Sequence, residues 1–250
     1  GLGDVYKRQG TITDSLSSLR KHVFEDKTFT MEALLDAMAD NFEGHEPMRQ
    51  MILNRTPFFG NDDPYADQIA VRVFDDLYDA IEGKPNTKGE CFHLNMLSTT
   101  CHVYFGKVMG ATPNGRLAGR AISDGTSPSH GADIHGPSAV IKSLGKLDQV
   151  KSGGTLLNLR LNHDLVVTKR GRANLGAMLQ SYFALGAFHV QFNTISNEVL
   201  KDAQAHPENY RDLLVRVAGY STQFVNLSKS MQDSICLLYT SDAADDRISV

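Results

Sequence analysis

Helix-like and strand-like apolar patterns alternate along the chain, which leaves few fold classes open. A helix is predicted over residues 30–42, with Thr30 as N-cap and Gly44 beyond its end. A second begins at Asp63, a cap followed by proline at the first helical position, and ends at Gly83. Alternation of such helices with short strands predicts an α/β fold.

The second half of the chain continues this alternation. Residues 174–185 have helical periodicity, and Ser196 is a candidate cap for a helix that ends before Pro207. Residues 189–193 alternate as in a strand, and residues 95–104, rich in Ser, Thr, Cys and Val, also favour a strand. Residues 210–217 carry leucine and valine at helical spacing and predict a helix.

Composition excludes several classes of function. The chain has 25 Lys and Arg against 29 Asp and Glu, without a basic cluster, so we expect no nucleic-acid partner. No apolar run approaches the ~20 residues of a membrane-spanning helix, and no signal pattern starts the chain. The three cysteines form no CxxC pair, so neither a disulfide framework nor a zinc site is indicated. We expect a cytoplasmic protein without membrane association.

Both ends of the chain differ from the rest. Residues 1–9 and 236–250 resemble translated sequencing-adapter read-through, and we predict that both tails are non-native. A native disordered tail after Ile235 is the alternative that its composition allows.

A long segment between Gly106 and Gly154 is rich in Gly, Pro, Ser and Asp, and such segments are usually functional or mobile. Four of its side chains could suggest a metal site but fit no standard ligand spacing, and we expect them to be solvated or bonded within the loop: Asp124, His130, Asp133 and His135. Arg116 and Arg120 stand beside glycines without a phosphate-binding motif, so we expect loop anchors.

The hexapeptide of residues 216–221, Arg-Val-Ala-Gly-Tyr-Ser, resembles the signature around the radical glycine of the glycyl radical enzymes, and this resemblance implies a backbone radical at Gly219. An unpaired electron on Cα is delocalised when Cα flattens and its orbital overlaps both adjacent amide groups, an arrangement that a Cβ would crowd. Glycine also tolerates tight turns that other residues avoid. The alternative is a plain turn glycine, or a glycine that ends a helix over residues 210–217.

These residues resemble the signature of the glycyl radical enzymes of the pyruvate formate-lyase-like family. Four further blocks resemble family segments in the expected order: residues 60–67, 110–131, 153–160 and 189–193. The resemblance implies the C-terminal part of a ten-stranded α/β barrel, built from two parallel half-barrels with surrounding helices and a glycyl radical loop. It places the barrel part at 10–122 and a glycine radical domain at 123–235.

The resemblance also implies roles for residues near the radical. Gly219 would carry the spin, and Arg216, Tyr220 and Ser221 would support its loop. The family relays the spin to a cysteine that lies further upstream than this chain extends. Cys91 and Cys101 lack the family's Cys-x-Glu arrangement, and we assign the thiyl role to neither.

Residues 94–106 resemble the branch of the family that dehydrates trans-4-hydroxy-L-proline, where Thr99 would face the substrate. A strand threonine bonded to its own backbone is an equal alternative. Other open functions are glycerol or diol dehydration, choline cleavage, acyl transfer of the pyruvate formate-lyase type, and a non-catalytic subunit that supplies a fresh radical glycine.

The implied partners follow from the same family. A radical S-adenosylmethionine activase with an iron–sulfur cluster would install the glycyl radical, and the C-terminal region would swing out of the barrel to reach it. No bound cofactor and no resident metal are expected. The full-length protein would act on a small molecule and form a homodimer, whereas this fragment would be inactive alone.

Overall fold

The computed structural model describes residues 4–6, 9–97, 101–161, 164–217 and 220–237. Ten α-helices are found in these ranges: α1 (Gln9–Ser18), α2 (Met31–Ala39), α3 (Glu46–Arg55), α4 (Pro64–Ile81), α5 (Cys101–Val108), α6 (Pro137–Leu144), α7 (Asp164–Val167), α8 (Lys169–Ala184), α9 (Asn197–Ala205) and α10 (Lys229–Leu237). Six strands accompany them: β1 (Asp4–Tyr6), β2 (His93–Asn95), β3 (Leu157–Arg160), β4 (Val190–Asn193), β5 (Leu214–Arg216) and β6 (Ser221–Gln223).

Side-chain caps fix the starts of three helices where the sequence predicts them. Thr30 accepts a hydrogen bond from the Ala33 N–H at 3.1 Å, and Asp63 accepts one from the Tyr65 N–H at 2.9 Å. Ser196 accepts from the Val199 N–H at 3.3 Å. Each cap satisfies an N–H that has no partner within its own helix.

The strands pair mostly in parallel. β1 pairs with β2 and β3 with β4, both in parallel register. A parallel bridge between Met96 and Thr155 joins the end of β2 to the segment that leads into β3. Parallel strands joined by helices confirm the α/β prediction. In the ranges that the structure describes, these strands do not close a barrel, as expected for part of one.

The main apolar core lies between the parallel strands and the helices α4, α6 and α8. Its buried members include Phe74 of α4, Leu144 of α6, Leu157 of β3 and Tyr182 of α8. Such burial contributes about 1.5–3 kcal/mol for each large side chain.

A second core belongs to the C-terminal elements. Its buried members include Leu200 of α9, Val215 of β5, Phe224 directly after β6, and Ile235 of α10. Val103 of α5 is the contribution from earlier in the chain. The hairpin of β5 and β6 therefore packs its apolar side chains mainly against its own neighbours in sequence.

Two predictions of secondary structure are wrong. Residues 101–104, predicted as strand, lie in helix α5, where His102, Val103 and Gly106 form the buried face. Residues 214–216, predicted as helix, form strand β5, in which burial alternates and Val215 points into the second core. In both cases tertiary contacts override the local pattern.

Every helix that the structure describes is too short or too polar to span a bilayer.

Candidate active site

The described signature residues, 216, 217, 220 and 221, lie in an antiparallel hairpin. β5 pairs with β6 so that Arg216 is opposite Ser221. The Val217 N–H donates a hydrogen bond to the Tyr220 carbonyl at 2.9 Å. Only Ala218 and Gly219 separate these two residues, and both lie outside the described residues. The hairpin thus frames the position that the sequence assigns to the radical.

Two side-chain amides of β4 hold the backbone of this hairpin. Gln191 Nε2 donates to the Val217 carbonyl at 2.9 Å. Asn193 makes two bonds with Arg216: its Nδ2 donates to the carbonyl at 3.0 Å, and its Oδ1 accepts from the N–H at 2.9 Å. The Asn193 amide therefore pairs with Arg216 as a neighbouring strand would.

The register of the parallel strands explains why polar side chains meet the hairpin. Leu157 and Leu159 of β3 are buried in the main core. Asn158 lies between them and points to the opposite face, where its register partner is Gln191. This polar face of β3 and β4, made by Asn158, Gln191 and Asn193, is the face against which the hairpin backbone lies.

A buried polar network extends from the hairpin into the Gly-rich segment. Gln191 Nε2 also donates to Asn158 Oδ1, and Asn158 Nδ2 donates to Asp124 Oδ2. The Asn158 N–H donates to Ser127 Oγ at 3.0 Å. Each amide in this series is thereby fixed in orientation by the next group.

The same network reaches helices α5 and α10. Asp124 Oδ1 lies 3.7 Å from His102 Nδ1, and both side chains are buried. His102 Nε2 lies 3.2 Å from Ser234 Oγ of α10. The expectation that Asp124 is solvated or bonded only within its loop is wrong, because it joins the sheet to α5.

Burial also changes the titration of two other groups in the Gly-rich segment. It lowers the pKa of His130 to about 4 and raises the pKa of Asp133. Both side chains are partly buried, and the Asp133 carboxyl is hydrogen-bonded to the backbone of its own residue, so bonding within the loop accounts for Asp133. The His135 side chain is exposed, as expected for a solvated group, and its Nδ1 lies 3.2 Å from the Asn61 carbonyl oxygen.

Arg116 is the loop anchor that the sequence predicts. Its guanidinium donates to the carbonyls of Leu117 at 3.0 Å and Arg120 at 2.6 Å, and to that of Gly110. Burial lowers the pKa of Arg116. The Arg120 side chain is exposed, and what it contributes to this loop is its carbonyl.

The residues predicted to support the radical are near one another, but their roles stay predictions. Arg216 Nη1 lies 3.5 Å from Ser221 Oγ, a weak contact. The Tyr220 side chain is about half exposed. Thr99, the predicted substrate contact, lies outside the described residues.

Sequence reasoning missed the amides that hold the hairpin. Gln191 and Asn193 alternate with Val190 and Phe192, which pack against the main core. This alternation of polar and apolar side chains was a usable signal, because a polar residue at every second position of a parallel strand marks a face with a polar neighbour.

Two family models match separate parts of the chain. The model described as pyruvate formate lyase-like matches residues 9–106. The model described as glycine radical matches residues 122–225, which include the hairpin. Together they account for most of the chain.

Curated relatives and solved structures agree with these matches. The chain is 47% identical to the trans-4-hydroxy-L-proline dehydratase of Clostridioides difficile over 226 residues, 90% of this chain and 29% of the relative. It is 41% identical to the isethionate sulfite-lyase of Oleidesulfovibrio alaskensis over 249 residues, 95% of this chain and 29% of the relative.

A crystal structure of the Clostridioides difficile hydroxyproline dehydratase, with trans-4-hydroxy-L-proline bound, superposes with a TM-score of 0.90 and 46% identity. It is matched over 94% of this chain and 30% of that one. The B12-independent glycerol dehydratase of Clostridium butyricum superposes with a TM-score of 0.87 at 36% identity, over 94% of this chain and 30% of that one. The chain thus spans about 30% of the length of these relatives, and with both family models matched it belongs to the pyruvate formate-lyase-like family of glycyl radical enzymes.

Proposed function

We propose that the full-length protein is a glycyl radical lyase that removes water from trans-4-hydroxy-L-proline, with the radical stored at Gly219. The observation that carries the proposal is the docked hairpin: residues 216–217 and 220–221 frame Gly219 and are held on the polar face of a parallel sheet. The 47% identity to a hydroxyproline dehydratase supports the substrate.

The reaction follows from radical relay. The spin at Gly219 passes to the upstream cysteine of the full-length protein, whose thiyl radical takes a hydrogen atom from the carbon beside the hydroxyl-bearing carbon of substrate. The C–O bond then breaks: the hydroxyl leaves as water after receiving a proton from an acid, and the ring nitrogen loses a proton as its double bond to carbon forms, so no net proton is consumed. The thiol returns a hydrogen atom to the product radical, which yields a cyclic imine and restores the thiyl.

The individual residue roles belong to this proposal. Thr99 contacts substrate through its hydroxyl, and Arg216, Tyr220 and Ser221 support the radical loop. The chain divides into barrel residues 10–122 and a glycine radical domain at 123–235, with non-native tails outside them.

The proposed partners are those of a radical enzyme. An activase that uses S-adenosylmethionine and an iron–sulfur cluster installs the radical on Gly219, and the full-length chain forms a cytoplasmic homodimer. Membership in the glycyl radical family and the hairpin around residue 219 support the activase.

Sulfite release from isethionate is a second candidate, favoured by 41% identity to an isethionate sulfite-lyase over 95% of this chain. This reaction breaks a C–S bond, whereas water removal from hydroxyproline breaks a C–O bond. Both reactions begin with hydrogen abstraction by a thiyl radical. The two enzymes would therefore differ in the residues that recognise the leaving group.

Parallel turnover assays separate these candidates. The full-length protein, activated under anaerobic conditions, is incubated with hydroxyproline, isethionate, glycerol, choline and pyruvate plus coenzyme A. We expect kcat/KM for hydroxyproline to exceed that for each other compound by at least about 100-fold, because a site built for one polar substrate leaves its own polar groups unpaired with another. Sulfite release as the fastest reaction would contradict the dehydratase assignment, and no turnover without a damaged partner enzyme would point to the non-catalytic subunit.

A further inference from the structure

The hairpin is attached to the parallel sheet by directional polar contacts. Three hydrogen bonds join the side chains of Gln191 and Asn193 to the backbone of Arg216 and Val217, the last described residues before Gly219. The apolar side chains of the hairpin, by contrast, belong to the second core with α9 and α10. Apolar packing is non-directional, whereas hydrogen bonds fix the position and orientation of the groups they join.

Gln191 is itself held in a single orientation. Both hydrogens of its Nε2 are used, one on the Val217 carbonyl and one on Asn158 Oδ1. Asn158 is oriented in turn by its bond to Asp124. Gln191 is buried, so a lost bond there is not replaced freely by water.

We propose, on the basis of the function proposed above, that Gln191 and Asn193 are positioning residues for the radical hairpin. They act through the backbone of residues 216 and 217, setting where residue 219 lies relative to the sheet and to the substrate site. They do not touch the reacting atoms. Because they hold the hairpin by polar bonds, weakening them releases it without removing its own apolar core.

Gln191→Glu is the most informative variant, because it keeps the shape of the side chain and replaces the amide N–H donor with a carboxylate oxygen, which accepts. A carboxylate there faces two acceptors, the Val217 carbonyl and Asn158 Oδ1. Asn193→Asp is the second variant: it keeps the bond from the Arg216 N–H and loses the donor to the Arg216 carbonyl. Gln223→Glu is the matched control, since the Gln223 side chain is exposed on β6 and accepts a hydrogen bond from Asn226 Nδ2, a bond that a carboxylate can also accept.

Three measurements on the full-length protein test the proposal. Before activation, the hydrogen–deuterium exchange rate of residues 214–223 is measured. After activation, the spin yield is measured by electron paramagnetic resonance. The turnover rate is then divided by the number of spins. For both β4 variants we expect exchange about tenfold faster, turnover per spin at least about tenfold lower, and spin yield equal to or above wild type. Gln223→Glu should match wild type in all three.

Unchanged exchange at residues 214–223 in both β4 variants would overturn the proposal, and so would unchanged turnover per spin. If Gln191→Glu fails to fold, the exchange and the turnover per spin of Asn193→Asp test the proposal. Failure of the proposed function gives a different result: wild type itself then shows no spin, or shows a spin without turnover of hydroxyproline, while the exchange measurement still decides whether the amides hold the hairpin.

Discussion

Gly219→Ala in the full-length protein is expected to give no organic radical signal after anaerobic activation, and no turnover. A Cβ at this position crowds the flattened Cα over which the spin is delocalised, and it presents the activase with a tertiary C–H bond in place of the methylene of glycine. The expected loss is complete, because every later step of the proposed reaction depends on that spin. Electron paramagnetic resonance of the frozen, activated protein measures it directly.

Gly176→Ala is the control for this variant. Gly176 lies within helix α8, and a Cβ added there has no atom within 4 Å. It should give the wild-type spin yield. A normal doublet signal from Gly219→Ala would disprove the assignment of the radical to this residue.

Gly106→Ala is expected to destabilise the protein by about 3 kcal/mol or more. The added Cβ would lie 2.2 Å from the Arg120 carbonyl oxygen and 2.6 Å from the Ala121 Cα. These are backbone atoms, so α5 or the Gly-rich segment has to shift. His102 is on α5, and the shift would therefore also disturb the polar network behind the hairpin.

The same Gly176→Ala variant is the comparison for stability. Alanine is favoured over glycine inside a helix by about 0.5–1 kcal/mol, so this change should stabilise the protein slightly. Denaturant unfolding of the two variants and wild type measures the difference. A Gly106→Ala midpoint equal to that of wild type would show that α5 and the segment at Arg120 do not pack as closely as the structure places them.

Local signals in the sequence were sufficient for much of the fold. The caps at Thr30, Asp63 and Ser196 are decided within a few residues, so they are read correctly from the chain. The strand at residues 190–193 is also recognised, because its alternation reflects burial on one face only.

Elements decided by pairing or packing with other segments could not be predicted in the same way. Val215 becomes part of a strand because β6 pairs with it and the second core covers it. Residues 101–104 are rich in β-prone side chains, yet they are helical where α5 packs against the backbone at Arg120. Propensity is a weak guide where such packing differs from it.

The candidate site also has a part that could be predicted from the sequence and a part that could not. The glycine signature is a contiguous motif and can be recognised in the sequence. The amides that hold it come from β4, more than 20 residues earlier, and their orientation depends on Asn158 and Asp124 from two further segments. Only the paired register of β3 and β4 brings these groups together.

The most direct test of the account is to expose the activated full-length protein to air and determine the mass of the products. A carbon radical in the backbone combines with oxygen, and the chain then breaks at that residue. We expect one new break, at Gly219, in an amount that matches the spin measured beforehand. An intact chain after the spin has decayed, or a break at another residue, would contradict it.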